Sequence, residues 1–248
     1  MMDDVTKLAE LLRASRNTVF FGGAGVSTES GIPDFRSESG LYAAQQVYGH
    51  SPEELLSHTF FVRNQELFFR YYKENLVSRD ALPNEAHLAL AKLESAGMLS
   101  AVVTQNIDGL HQLAGSRNVL ELHGSNWRQY CVTCGARYTL GDVMDSAETV
   151  PHCSRCGGVI RPEVVLYEEG LDDDVVRRST DAIARAEVLI VGGTSLAVYP
   201  AAGLLRYFKG RALVLINKSV TPVDSSADIV IHAPIGAVLK RTVEMLNL

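Results

Sequence analysis

The residues whose types and spacing could do chemistry are four cysteines, a histidine, and a short run of amides and a carboxylate in a chain of 248 residues. All four cysteines fall in two C-x-x-C pairs, Cys131/Cys134 and Cys153/Cys156, separated by 18 residues. That spacing fits a tetrathiolate zinc site, and in an intracellular chain it reads as metal before disulfide. Gly135, Gly157 and Gly158 follow the pairs, as tight knuckle turns require. Four thiolates complete a tetrahedron and leave no position for water. The expected zinc is therefore structural, His152 need not bind it, and no cysteine is left over as a nucleophile.

A second group of residues points to a nucleotide. Gly22-Gly23-Ala24-Gly25-Val26-Ser27 follows an apolar run from Thr18 to Phe21, where a Rossmann-like fold brings its backbone against a pyrophosphate. The third glycine of G-x-G-x-x-G would fall at Thr28, and no acidic residue closes an obvious second strand, so a hydride-transferring dehydrogenase fits poorly. In Gly31-Ile32-Pro33-Asp34-Phe35-Arg36, Pro33 must stop any helix begun near Ser27 after about one turn. The loop that results presents Phe35 and Arg36 as cover for a bound nucleotide.

Gln105, Asn106 and Asp108 follow the apolar run Leu99 to Val103, and His123 follows Val119 to Leu122. Both groups therefore fall at the carboxyl ends of expected parallel strands, the edge where open α/β sheets bind ligands. Asp108 alone could be the cap of a helix through Leu110, which would leave Gln105 and Asn106 unexplained. An imidazole with a pKa near ~6.5 accepts a proton at neutral pH, so His123 is the expected general base. His87, inside an amphipathic helix pattern, is assigned to packing.

The elements that must position these residues alternate. An amphipathic helix through Val5, Leu8, Leu11 and Leu12 opens the chain, and further strands are expected at 164–167, 188–191 and 213–216, with helices over 84–96 and 172–186. The fold class is α/β, a Rossmann-like parallel sheet domain. Two segments break the rhythm: the aromatic-rich, helical 35–77 and the cysteine-bearing 126–159. They are expected to form a smaller domain beside a core of 1–34, 78–125 and 160–248, with a cleft between.

Composition limits the function classes. Apolar content is 46% and charged content 21%, and no run approaches the ~20 apolar residues of a membrane span. The acidic start Met1-Met2-Asp3-Asp4 is unlike a secretory signal, so a cytoplasmic location is expected and no membrane partner. A net charge of -6 argues against dedicated nucleic-acid binding and for a cationic partner.

Gly23-Ala24-Gly25-Val26-Ser27 with Gly31-Ile32-Pro33-Asp34-Phe35-Arg36 resembles the signature of the sirtuin family, in its compact prokaryotic form. Thr104-Gln105-Asn106-Ile107-Asp108-Gly109-Leu110-His111 is similar to its second motif, His123-Gly124 to its catalytic histidine, and Gly193-Thr194-Ser195-Leu196 with Pro200 to a later nucleotide contact. The resemblance implies an NAD-dependent protein-lysine deacetylase with one structural zinc and acyl-lysine proteins or peptides as partners. The acyl oxygen would attack the nicotinamide ribose, nicotinamide would leave, and His123 would activate a ribose hydroxyl that captures the acyl carbon.

By the same resemblance NAD would be bound by Ala24, Thr28, Phe35, Arg36, Gln105, Ile107, Asp108, His123, Gly193, Thr194, Ser195, Asn217 and Ile235, with Asn106 catalytic beside His123. The peptide would lie along Val165, Leu196 and Val198, a case of strand addition. There the family's usual Phe-Gly-Glu is replaced by Tyr167-Glu168-Glu169. Members that remove succinyl groups carry a Tyr and an Arg three residues apart, at positions matched here by Phe69 and Tyr72, so an uncharged acyl group is expected. An ADP-ribosyltransferase and a non-enzymatic NAD or ADP-ribose sensor are the alternatives.

Overall fold

The computed structural model describes residues 2–33 and 44–248. Six strands, β1 (Thr18–Gly22), β2 (Ala101–Thr104), β3 (Val119–Glu121), β7 (Val188–Gly192), β8 (Ala212–Ile216) and β9 (Ile229–Ile231), form one sheet in the order β3-β2-β1-β7-β8-β9. Every pairing in it is parallel. A parallel sheet must be covered on both faces, and the side chains alternate accordingly. Phe20, Val102, Ile190, Val214 and Ile216 pack on one side with the helices Met2–Ala14, Glu85–Ser95 and Ile235–Leu246. Val19, Phe21, Val103, Leu189, Val191 and Leu215 pack on the other with Ile183 of the helix Asp173–Arg185 and with Ala201, Ala202 and Leu204 of a 3-10 segment.

The small layer is built differently. β4 (Gly124–Cys131), β5 (Arg137–Thr139) and β6 (Ile160–Val164) form an antiparallel sheet in the order β5-β4-β6. The strand expected at 164–167 thus lies earlier in the chain and pairs with β4, not with the parallel sheet. Arg161 and Pro162 obscured it, because a charge and a proline read against a strand. Short helices, Pro52–Leu55, His58–Arg63 and Gln65–Tyr71, lead into a π turn over Tyr72–Leu76. Ser51 and Ser57 cap the first two through hydrogen bonds from Glu54 N and Phe60 N.

Phe61, Phe68, Phe69 and Tyr72 meet edge-on or stacked, with ring centroids 5.0 to 6.4 Å apart, and the cluster continues to Cys131, Cys153, Ile160 and Val164. Burying each large apolar side chain contributes roughly 1.5–3 kcal/mol. Tyr72 Oη donates to Asn126 Oδ1 (3.2 Å) and accepts from Gln129 Nε2 (3.1 Å), tying the helical segment to β4. Among the described residues no helix is long and apolar enough to cross a membrane.

Candidate active site

Strand order reverses between β1 and β7, and the carboxyl ends of these strands open into a cleft. Two glycine-bearing loops meet there. Gly25 N donates to Gly193 O at 2.8 Å, and a Cβ on Gly193, whose φ is +58°, would stand 2.4 Å from Val26 N. Contact this close excludes side chains, which is why the turn needs glycine at both positions. Thr28 Oγ1 closes the turn by donating to Gly25 O at 3.0 Å.

The cleft is lined by Ala24, Ser27, Gln105, Asn106, Ile107, Asp108 and His123 from the sheet side, and by Leu56, Asn75, Leu76 and 164–169 from the small layer. Val198, Tyr199 and Pro200 also line it. Gln105 Nε2 donates to Thr194 Oγ1 at 3.2 Å, linking the ends of β2 and β7. Asn106 Nδ2 donates to Ser27 Oγ (3.0 Å), and that hydroxyl donates to Asp108 Oδ2 (2.6 Å). Asp108 Oδ1 accepts from Leu110 N at 2.9 Å, but the helix Leu110–Leu113 takes Gly109 as its N-cap, so Asp108 sits one residue before the cap position considered from sequence and lines the cleft. The indole of Trp127 donates through Nε1 to the Asp108 carbonyl at 2.7 Å.

His123 is half-buried, and its Nδ1 lies 2.9 Å from the Gln105 carbonyl. A carbonyl only accepts, so Nδ1 carries the proton and Nε2 is the basic nitrogen of the neutral ring. The His123 carbonyl in turn accepts from Val165 N at 3.0 Å, joining the start of β4 to the segment that walls the cleft.

His87 is buried behind this group. Its Nδ1 accepts from Asn84 N at 3.3 Å, closing a capping box, and its Nε2 lies 3.5 Å from Ser27 Oγ. The packing role expected for it is joined by a polar one. Burial lowers its pKa to about 4 against the opposing pull of Asp108, and burial with the neighbouring His87 lowers that of His111 to about 3. Their ring centroids are 4.8 Å apart, and neither ring nitrogen of His111 has a hydrogen-bond partner among the described residues.

The wall formed by 164–169 carries the chain's departure from the family pattern. Glu169 is clamped by Arg161, at 2.6 and 3.0 Å, and by His58 at 2.8 Å, which outweighs the upward push of burial and brings its pKa to about 2. Glu168 has a φ of +74°, a conformation that costs a side-chain-bearing residue roughly 1–2 kcal/mol. Its Oε2 accepts from Thr59 N at 2.9 Å, at the start of the helix His58–Arg63, a contact that anchors the side chain and offsets part of that cost.

Of the other residues expected from sequence, Ser195 is exposed, Thr194 is buried, and Asn217 directly follows β8 with Nδ2 donating to Ser219 O. Ile235 is buried at the start of the last helix, beside Gly192. Val165 and Val198 line the cleft, whereas Leu196 is buried in the apolar cluster beneath it. Phe69 and Tyr72 are wholly buried, so the helical segment faces the cleft through Asn75 and Leu76 instead. Phe35 and Arg36 lie outside the described residues. Sequence reading assigned no role to Ser27, although it stood inside the glycine motif; its link to Asp108, 81 residues away, is visible only in the fold.

Away from the cleft, the Sγ atoms of Cys131, Cys134, Cys153 and Cys156 all lie within 4.8 Å of one another. Cys131 to Cys156 is 3.5 Å and Cys134 to Cys153 is 3.7 Å. Sulfurs about 2.3 Å from a tetrahedral centre stand about 3.8 Å apart, so the cluster has the shape of a closed tetrathiolate metal site.

This combination belongs to a class of parallel-sheet proteins with a nucleotide cleft walled by a four-cysteine layer, and the comparisons identify which. The Sir2 family model matches residues 23–200, and the chain belongs to that family. A relative from Clostridium acetobutylicum, called NAD-dependent protein deacetylase, is 56% identical over 243 residues, covering 98% of this chain and 99% of the relative. A solved structure of Sir2 with a p53 peptide and NAD+ is 39% identical, with a TM-score of 0.86 and coverage of 97% of this chain and 98% of the other. Another, Sir2Tm bound to a propionylated peptide, is 39% identical, with a TM-score of 0.87 and coverage of 98% of both.

Proposed function

We propose that this chain is an NAD-dependent protein-lysine deacetylase, transferring the acyl group of acyl-lysine to the ADP-ribose part of NAD with release of nicotinamide. The observation that carries the reading is the placement of His123, its Nδ1 held by Gln105 O at 2.9 Å, in the cleft that Gln105, Asn106, Asp108, Val165 and Val198 also line. The name of the Clostridium acetobutylicum relative and the NAD+ and peptide of the Sir2 neighbour support it.

The residues that would hold NAD are Ala24, Thr28, Gln105, Ile107, Asp108, Gly193, Thr194, Ser195, Asn217 and Ile235, with Phe35 and Arg36 from the loop beyond Pro33. NAD supplies a sugar carbon open to attack and nicotinamide as the departing group. Asn106, oriented by the Ser27 hydroxyl, positions the sugar or a water. His123 takes a proton through Nε2, since Nδ1 is occupied in donating to the Gln105 carbonyl. The peptide adds as a strand between Val165 and Val198, above the Leu196 cluster. The four cysteines hold a structural zinc away from the reacting atoms, and chelation acts on the small layer alone.

Uncharged acyl groups are preferred. The described lining contains the carboxylates of Asp108, Glu168 and Glu169 and no lysine or arginine. Arg70, on the same helical segment, is exposed and pairs with Glu74. A succinyl carboxylate would meet the Asp108 and Glu168 carboxylates and no lysine or arginine among the described lining residues.

Incubation with NAD and an acetyl-lysine peptide, followed by mass analysis, tests the main claim. Free lysine peptide with O-acetyl-ADP-ribose and nicotinamide is the expected result. A peptide that gains ADP-ribose would replace the reading with a transferase, and unchanged NAD would replace it with a sensor. Higher catalytic efficiency on succinyl-lysine than on acetyl-lysine would refute the acyl preference.

A further inference from the structure

Among the described cleft-lining residues, Glu168 alone combines three properties. Its side chain is exposed at the cleft rim, it sits in a backbone conformation that favours glycine, and its carboxylate joins no ion pair among the described residues. Glu169 beside it is ion-paired with Arg161 and lies 2.8 Å from His58 Nδ1. The Thr59 side chain and then its backbone N–H keep the Glu168 carboxyl below the usual carboxylate range, and His58 and Arg63 act in the same direction without pairing. It is therefore an anion at neutral pH, fixed at one oxygen and turned to solvent where a peptide would pass.

We infer that Glu168 is a specificity-determining residue that favours acyl-lysine peptides carrying a lysine or arginine next to the modified residue. The inference rests on the deacetylase reading. A cationic neighbour meets the rim carboxylate without displacing an existing ion-pair partner, whereas an acidic neighbour meets repulsion from Glu168 and finds no lysine or arginine among the described lining residues to offset it. The interaction is solvent-exposed, so its effect is modest and salt-sensitive.

Steady-state kinetics on three acetyl-lysine peptides, identical except for Lys, Gln or Glu on either side of the acetyl-lysine, test it. The native enzyme is expected to show a KM for the Lys-flanked peptide about five-fold below that for the Glu-flanked one, with kcat changing less. Raising salt from about 0.05 M to about 0.5 M should compress that ratio. Glu168→Gln, which keeps an oxygen for Thr59 N, and Glu168→Gly, which relaxes the backbone, should each bring the ratio to within about two-fold. An unchanged ratio in both variants, or a native ratio near one, overturns the inference. If the native enzyme deacetylates none of the three with NAD, the deacetylase reading itself has failed.

Discussion

The parallel sheet and the small layer both bury apolar side chains beside one cleft, by different means. The sheet uses two faces of alternating aliphatic residues and long helices, such as the 12-residue Ile235–Leu246. The small layer has strands of three to eight residues, helices of four to seven, an aromatic cluster, and an apolar core that runs into Cys131 and Cys153. Helices this short have no stability of their own. The sheet can therefore hold Gln105, Asn106, Asp108 and His123 in place by packing, whereas the wall contributed by 164–169 depends on whatever binds the four thiols. On the proposed reading, the reacting groups fall on the self-sufficient region and the Val165 side of the peptide contact on the dependent one.

The largest expected effect separates the two regions by function. His123→Ala should lower turnover by about 100-fold or more while leaving the thermal midpoint nearly unchanged, because it removes the proposed general base from a region stabilised elsewhere. Next is metal removal. Chelation or Cys131→Ser should release thiols to a colorimetric reagent and abolish peptide binding, since a structural zinc contributes on the order of 10 kcal/mol to its module. NAD affinity, measured by calorimetry, should survive; its loss in parallel would mean that the regions are one cooperative unit.

A third test addresses the sheet side through pH. His87 and His111 are neutral in the folded protein, with pKa values of about 4 and about 3, and the unfolded chain binds protons from about 6.5 downward. Stability is thus full above about pH 6.5 and should fall as pH drops towards 4, by up to about 1.4 kcal/mol per pH unit for each histidine. Urea unfolding at pH 7 and 5 measures this, and His111→Leu should flatten the dependence. The smallest effect belongs to the small layer. Tyr72→Phe removes the hydroxyl between Asn126 and Gln129 and should cost about 1 kcal/mol in urea unfolding, without changing the KM for NAD.

Legibility in the sequence follows the same division. Continuous apolar runs such as 188–191 and 213–216 predict buried parallel strands, and the structure has Val188–Gly192 and Ala212–Ile216. β9, three residues long, is too short for periodicity to register. β4 reads Gly-Ser-Asn-Trp-Arg-Gln-Tyr-Cys and shifts register between Ser125 and Gln129, which hides its alternation. The cysteine cluster was legible because metal-ligand spacing is local. The contacts of Ser27 with Asp108 and of Glu168 with Thr59 were not, because each joins segments far apart in sequence through single hydrogen bonds.

Trp127 is the only tryptophan in the chain, about half exposed, with its indole N–H fastened to the backbone of a cleft-lining residue. The molecule therefore carries its own optical probe. Indole emission depends on solvent exposure and hydrogen bonding, so a ligand that moves the Asp108 turn should change the colour and intensity of the protein's ultraviolet fluorescence. Occupancy of the cleft could then be followed by stopped flow, with no label attached and no product formed.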